Sequence, residues 1–304
     1  HGGFYWSLDY TGKVTSTKKQ VYAQGFVIYA LSAYYLLTGE PQALKQALDC
    51  FELLEANCID REGEGYFEAY TREWGKIEDV RLSEKDLNYP KTMNTHLHVL
   101  EAYTTLYKVS GDSRVAEALR YGIDLFDRYM INHDTGHLRM FMDDNWQDHS
   151  PGLTYGHDIE CAWLLYKALN ALGDQALLQK HRSTIIQISE VCLQEAIGSH
   201  GQVIDGLDFA TGHVHSQSVW WVQAEALVGF LTAHALTDDQ RFWQAAQNIW
   251  AFIYQYQLNH QQGEWLWHST LDEPDGDRDY KVGFWKGPYH NGRAMIEAAR
   301  LLAV

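Results

Sequence analysis

Histidines, carboxylates and an amide stand at helical spacing in several places along this chain, and their types suit proton transfer. Asn94 and His98 are four residues apart, and His157 and Glu160 are three apart. On a helix each pair therefore shares one face and can act on one point. Tyr22, Trp221, Glu225 and His290 add to the set. Imidazoles titrate near neutral pH, so one can accept a proton while another donates. Other chemistries could use the same residues. His98, His157, Glu160 and His290 could form a zinc cage, but H-E-x-x-H is absent and proton transfer already accounts for the set, so no metal is expected. Glu160, Glu225 and Asp86 could serve a glycosidase, which needs two carboxylates across a scissile bond. That assignment leaves two histidines unexplained. Each residue also has a plainer account: His98 as a hydrogen-bonded core histidine, Glu160 as a surface carboxylate, and His96, on the opposite face, as structural.

The elements that position these residues are read from a repeat. Five segments share a glycine turn followed by alternating aromatic or aliphatic residues: 2–6, 63–67, 136–140, 201–205 and 263–267. They are expected as short strands or hairpins. Between them, apolar residues at helical spacing predict helix pairs at 18–37 with 41–57, 91–109 with 113–131, 155–172 with 174–196 and 217–235 with 238–258, and a lone helix at 289–303. Gly39, Gly111 and Gly173 are placed as C-caps, and Pro41 suits a first turn. Tandem helical hairpins bury both faces of their inner helices by curling or closing. The expected fold is all-α, an (α/α)6 barrel with short β-hairpins in its loops, forming a single catalytic domain over 1–304. Because nine helices are an odd number, about three N-terminal helices are expected to be missing. The first turns of five inner helices, carrying Tyr22, Asn94 with His98, His157 with Glu160, Trp221 with Glu225, and His290, then converge at one mouth.

The motifs themselves carry a resemblance. Lys91 to Tyr103 (KTMNTHLHVLEAY), Tyr155 to Glu160 (YGHDIE), Trp220 to Ala226 (WWVQAEA) and Trp285 to Arg293 (WKGPYHNGR) resemble, in this order, the motifs of the cellobiose 2-epimerases. These belong with the N-acylglucosamine 2-epimerases. The resemblance implies an (α/α)6 barrel that inverts C2 of the reducing-end aldose of cellobiose, lactose or mannobiose without metal or cofactor. It implies His157 and His290 as the acid/base pair, Glu160 in support of His157, and Asn94 and His98 in ring opening and binding of the open-chain sugar. Trp221 and Trp285 would be aromatic platforms, and Tyr22, Asp86 and Glu225 sugar-contacting or supporting residues. The family's arginine, which steadies an enediolate, is expected on a helix ahead of the first motif.

Composition narrows the partners. A net charge of −16 with 24 Lys and Arg argues against nucleic acid and anionic lipid. No apolar run or signal-peptide pattern is read, so the cytoplasm is the default location. Cys50, Cys58, Cys161 and Cys192 lack metal or disulfide spacing and are read as reduced thiols. The 11 Trp, 19 Tyr and 11 Phe exceed what a core requires and suit stacking on a pyranose. The partner expected is a small sugar. An aldose-ketose isomerase or monosaccharide 2-epimerase on the same barrel, and a non-catalytic binding module, are the alternatives. Loops 74–90 and 268–284 are expected to set preference.

Overall fold

The computed structural model of the protein describes residues 1–274 and 280–303, so residues 275–279 of the 268–284 loop lie outside the described residues. Nine α-helices occur among the described residues: α1 Val21–Thr38, α2 Pro41–Asn57, α3 Met93–Ser110, α4 Ser113–Leu125, α5 Tyr155–Leu172, α6 Gln175–Glu195, α7 Trp220–Thr237, α8 Gln240–Phe252 and α9 Tyr289–Leu302. They are the helices the periodicity predicts. Gly39, Gly111 and Gly173 follow α1, α3 and α5 with φ of 71°, 62° and 68°. The fourth pair turns instead on Asp238, which takes the left-handed conformation at φ 58°, a position short polar side chains tolerate. Asp112 and Asp239 cap α4 and α8 by accepting backbone N–H bonds from Arg114 and Arg241.

Two helices end differently from expectation. Periodicity carries the outer helices to 131 and 258, but α4 and α8 pass into π-helical turns at Phe126–Met130 and Ile253–Gln257. There Ile131 and Leu258 bond back five residues, to the carbonyls of Phe126 and Ile253. An apolar spacing rule does not separate one wide terminal turn from a further α turn.

The glycine segments also differ. Three of the five are turns with single β-bridges, Ile59 to Tyr66, Ile197 to Val203 and Leu258 to Trp265, where Gly65, Gly201 and Gly263 adopt positive φ. The strands start just downstream. β1 (Ser7–Leu8) pairs with β2 (Val14–Ser16). β3 (Lys19–Gln20), leading into α1, pairs with β4 (Ala69–Tyr70), and β5 (Lys91–Thr92), leading into α3, with β6 (Phe141–Met142). β7 (Gly152–Thr154), leading into α5, pairs with β8 (Gly206–Asp208), which also takes β9 (Val214–His215). A bridge from Val219 to His268 does the same for α7. Each helical hairpin is thus clasped at its base by an antiparallel pair.

The chain divides into two compact units. The first comprises His1–Ile131, Arg139–Ser150 and Lys167–Asp174, and the second Asn132–Leu138, Pro151–Tyr166 and the residues from Gln175 onward. In the first, α3 is buried along most of its length and packs on α1 and α4. In the second, α7 is buried at Trp220 and from Val222 to Ala233, and packs on α8 and α9. α1 is the one described helix long and apolar enough in composition to cross a membrane, which the reading of the sequence overlooked. It packs on α2 and α3 in the first unit. The four cysteines are buried free thiols, and burial pushes Cys50 up to about 12.

Candidate active site

In the second unit, five side chains from three helices form a buried polar cluster. Glu160 from α5 and Glu225 from α7 are fully buried. His290, second residue of α9, bonds through Nδ1 to Glu225 Oε1 at 2.6 Å. Arg293, one turn further along α9, donates from Nη2 to Glu160 Oε1 at 2.6 Å and to Glu225 Oε1 at 2.7 Å. Trp163 on α5 donates its indole N–H to Glu225 Oε2 at 3.0 Å. Burial alone would raise the Glu225 carboxyl, but the charges of Arg293 and His290 reverse this and hold it below the usual glutamate value. A carboxylate kept ionised accepts, so the proton of the His290 imidazole sits on Nδ1.

His157 is held by a separate contact. β7 ends at Thr154, whose hydroxyl lies 2.6 Å from His157 Nδ1. Here too Nδ1 is engaged. The rings of His157 and His290 lie 4.7 and 5.5 Å from that of Trp221. Gly156 makes the approach possible, since a Cβ there would stand 2.6 Å from the Trp221 ring. Two imidazoles thus flank one indole.

Trp285 stands apart in character. Its side chain is 39% exposed and edge-on to Phe284, 5.2 Å between centroids. Glu160, expected in support of His157, is engaged by Arg293. Glu225, expected as a sugar-contacting or supporting residue, carries both His290 and Arg293.

The first unit holds the remaining candidates. Tyr22 and Phe26 from α1 and His98 from α3 form an aromatic corner, with centroids 4.7 to 5.0 Å apart, and Trp6 lies edge-on to Tyr22 at 6.5 Å. His98 Nδ1 lies 3.3 Å from Glu101 Oε2. Asn94, four residues before His98, has a buried Oδ1 that meets no hydrogen-bond donor among the described residues. Asp86 accepts the Ser83 backbone N–H at 2.8 Å and so closes a turn in its own loop. His96 is buried and structural: Tyr66 N–H donates to its Nε2, Nδ1 meets the Thr92 carbonyl, and burial lowers it to about 4.

Several residues escaped the reading of the sequence. Glu68 accepts from the Thr92 backbone and hydroxyl and from the Thr95 hydroxyl at 2.7 to 2.9 Å, and so ties down the N-terminus of α3 that carries Asn94 and His98. Burial raises this carboxyl to about 8. Thr154, Trp163 and Glu101 carried no signal of their own. Arg293 did, because it follows His290 at the same three-residue spacing that linked His157 to Glu160.

Known proteins point the same way. The family model for N-acylglucosamine 2-epimerase (GlcNAc 2-epimerase) matches residues 1–291. The cellobiose 2-epimerase of Bacteroides fragilis is 44% identical over 97% of this chain and 75% of its own length. The solved cellobiose 2-epimerase of Bacillus thermoamylovorans superposes with a TM-score of 0.91 at 34% identity, over 99% of this chain and 76% of that one. A D-mannose isomerase of Thermobifida fusca is 25% identical over 90% of this chain and 67% of its own. The fold class is therefore that of the (α/α)6-barrel sugar epimerases, enzymes of the isomerase class. The chain belongs to the N-acylglucosamine 2-epimerase family.

Proposed function

We propose that the protein inverts C2 of the reducing-end aldose of a β-1,4-linked disaccharide such as cellobiose, lactose or mannobiose. The observation that carries this reading is the pair of imidazoles flanking Trp221, each with Nδ1 engaged by its own partner. The sugar ring opens. One imidazole takes the C2 proton, and the electron pair passes through C1 to the carbonyl oxygen, giving an enediolate. The other imidazolium returns a proton to the opposite face of C2. Such acid–base steps are typically worth about 10²–10⁴-fold each. On this reading Trp221 and Trp285 are platforms for the sugar, His98 and Asn94 serve ring opening and hold the open chain, and Tyr22 and Asp86 contact it. Glu225 and Glu160 act through His290 and Arg293. No cofactor is required.

The likeness to a D-mannose isomerase favours a second reading, in which the same enediolate is reprotonated at C1. One experiment separates them. The full-length protein is incubated with cellobiose, mannobiose or mannose in deuterated water and followed by NMR. Deuterium at C2 of an intact disaccharide is expected. Label at C1 with a ketose product would establish the isomerase, and release of monosaccharide a glycosidase. His157→Asn and His290→Asn should each abolish conversion to the C2 epimer, while the remaining imidazole can still exchange the C2 proton on its own face.

A further inference from the structure

Arg293 and His290 leave the same face of α9, one turn apart. The arginine is 6% exposed, and its guanidinium lies against the rings of Tyr289 and Trp163, 4.2 and 4.8 Å to the centroids. One of its nitrogens stands between two fully buried carboxylates, as described. Ligand atoms of Glu160, Glu225 and His290 all lie within 4.8 Å of one another, close enough to share one divalent cation. Two buried carboxylates at such a spacing cannot both stay ionised without a positive charge beside them.

We propose that Arg293 is a positioning residue that acts as the built-in cation of this cluster, fixing Glu225 under His290 Nδ1 and denying the cluster to a divalent metal. Its fixed charge does for Glu160 and Glu225 what an ion would do, and its planar fork between two rings gives that charge one orientation. His290 is then aligned through Glu225, and Nε2 faces the reaction. The alignment rests on the acid–base reading of His290. The exclusion of metal does not.

The test uses full-length wild type, Arg293→Ala and His290→Ala. In Arg293→Ala, kcat should fall on the order of 10²-fold or more with KM within about threefold, and added guanidinium should restore at least about tenfold. The same variant should bind one Co²⁺, read from its visible absorption without any turnover, where wild type shows none. Near-normal turnover of folded Arg293→Ala would overturn the proposal. So would saturable Co²⁺ binding by wild type that His290→Ala removes, a measurement that stands even if Arg293→Ala does not fold. If wild type turns over no sugar, the acid–base reading fails alone, because the cobalt measurement still decides the exclusion of metal.

Discussion

The two units each hold a histidine beside a buried glutamate near the start of an inner helix, yet the pairs are built differently. In the first, His98 and Glu101 sit three apart on α3, and the imidazole is boxed by Tyr22 and Phe26. In the second, His290 reaches across from α9 to Glu225 on α7, and Arg293 supplies a second positive charge. The first is a mostly apolar corner with one polar edge, suited to gripping a sugar's C–H face. The second balances its charges, so it can pass a proton without stranding a buried ion. Similar residues thus stand in an apolar setting in one place and in a charge-balanced one in the other.

Breaking the balanced cluster should cost most. Glu225→Gln removes the acceptor of His290 and half of the Arg293 clamp, and kcat should drop by about 10³-fold. Chemical denaturation should show a loss of about 3–5 kcal/mol, as when one member of a buried pair is deleted. The apolar corner should answer differently. Phe26→Ala should raise KM about tenfold and leave kcat nearly unchanged in steady-state assays, since about 1 kcal/mol of ring contact is lost. A comparable fall in kcat would dissolve the distinction between the two regions.

A further effect concerns pH. Glu68 keeps its proton in the fold up to about 8, against an ordinary value of 4.5. The folded state therefore binds more protons than the unfolded one between those values. The stability this confers is complete below pH 4.5 and is lost as pH rises toward 8, with a slope of at most about 1.4 kcal/mol per pH unit. Glu68→Gln should flatten that slope in thermal melts across this window. An unchanged slope would mean that the carboxyl is ionised throughout.

Most of the framework was legible because its signals are local. Helix pairs followed from apolar spacing, and the turns after α1, α3 and α5 from their glycines. Positions 22, 94, 98, 157, 160, 221, 225 and 290 do lie near the starts of inner helices. What stayed hidden was pairing over distance. His290 meets Glu225 across 65 residues, and Arg293 meets Glu160 across 133. Spacing shows that two side chains share a helix face but not which other helix that face meets. Glu225 was accordingly left between a contacting and a supporting role, and Glu68, in a loop with no helical register, could not be connected to α3 at all. Asp238 gave no glycine to read, though it turns the chain as glycine does elsewhere.

The antiparallel pairs at the base of the helical hairpins have an evolutionary consequence. The pairs at 19–20 with 69–70, 91–92 with 141–142, 152–154 with 206–208, and Val219 with His268 each close a loop of chain containing two helices. Segments 71–90, 143–151 and 209–218 lie outside those closures. Insertions or exchanges there leave these four closures intact, so loop sequence can vary while the starts of the inner helices stay put.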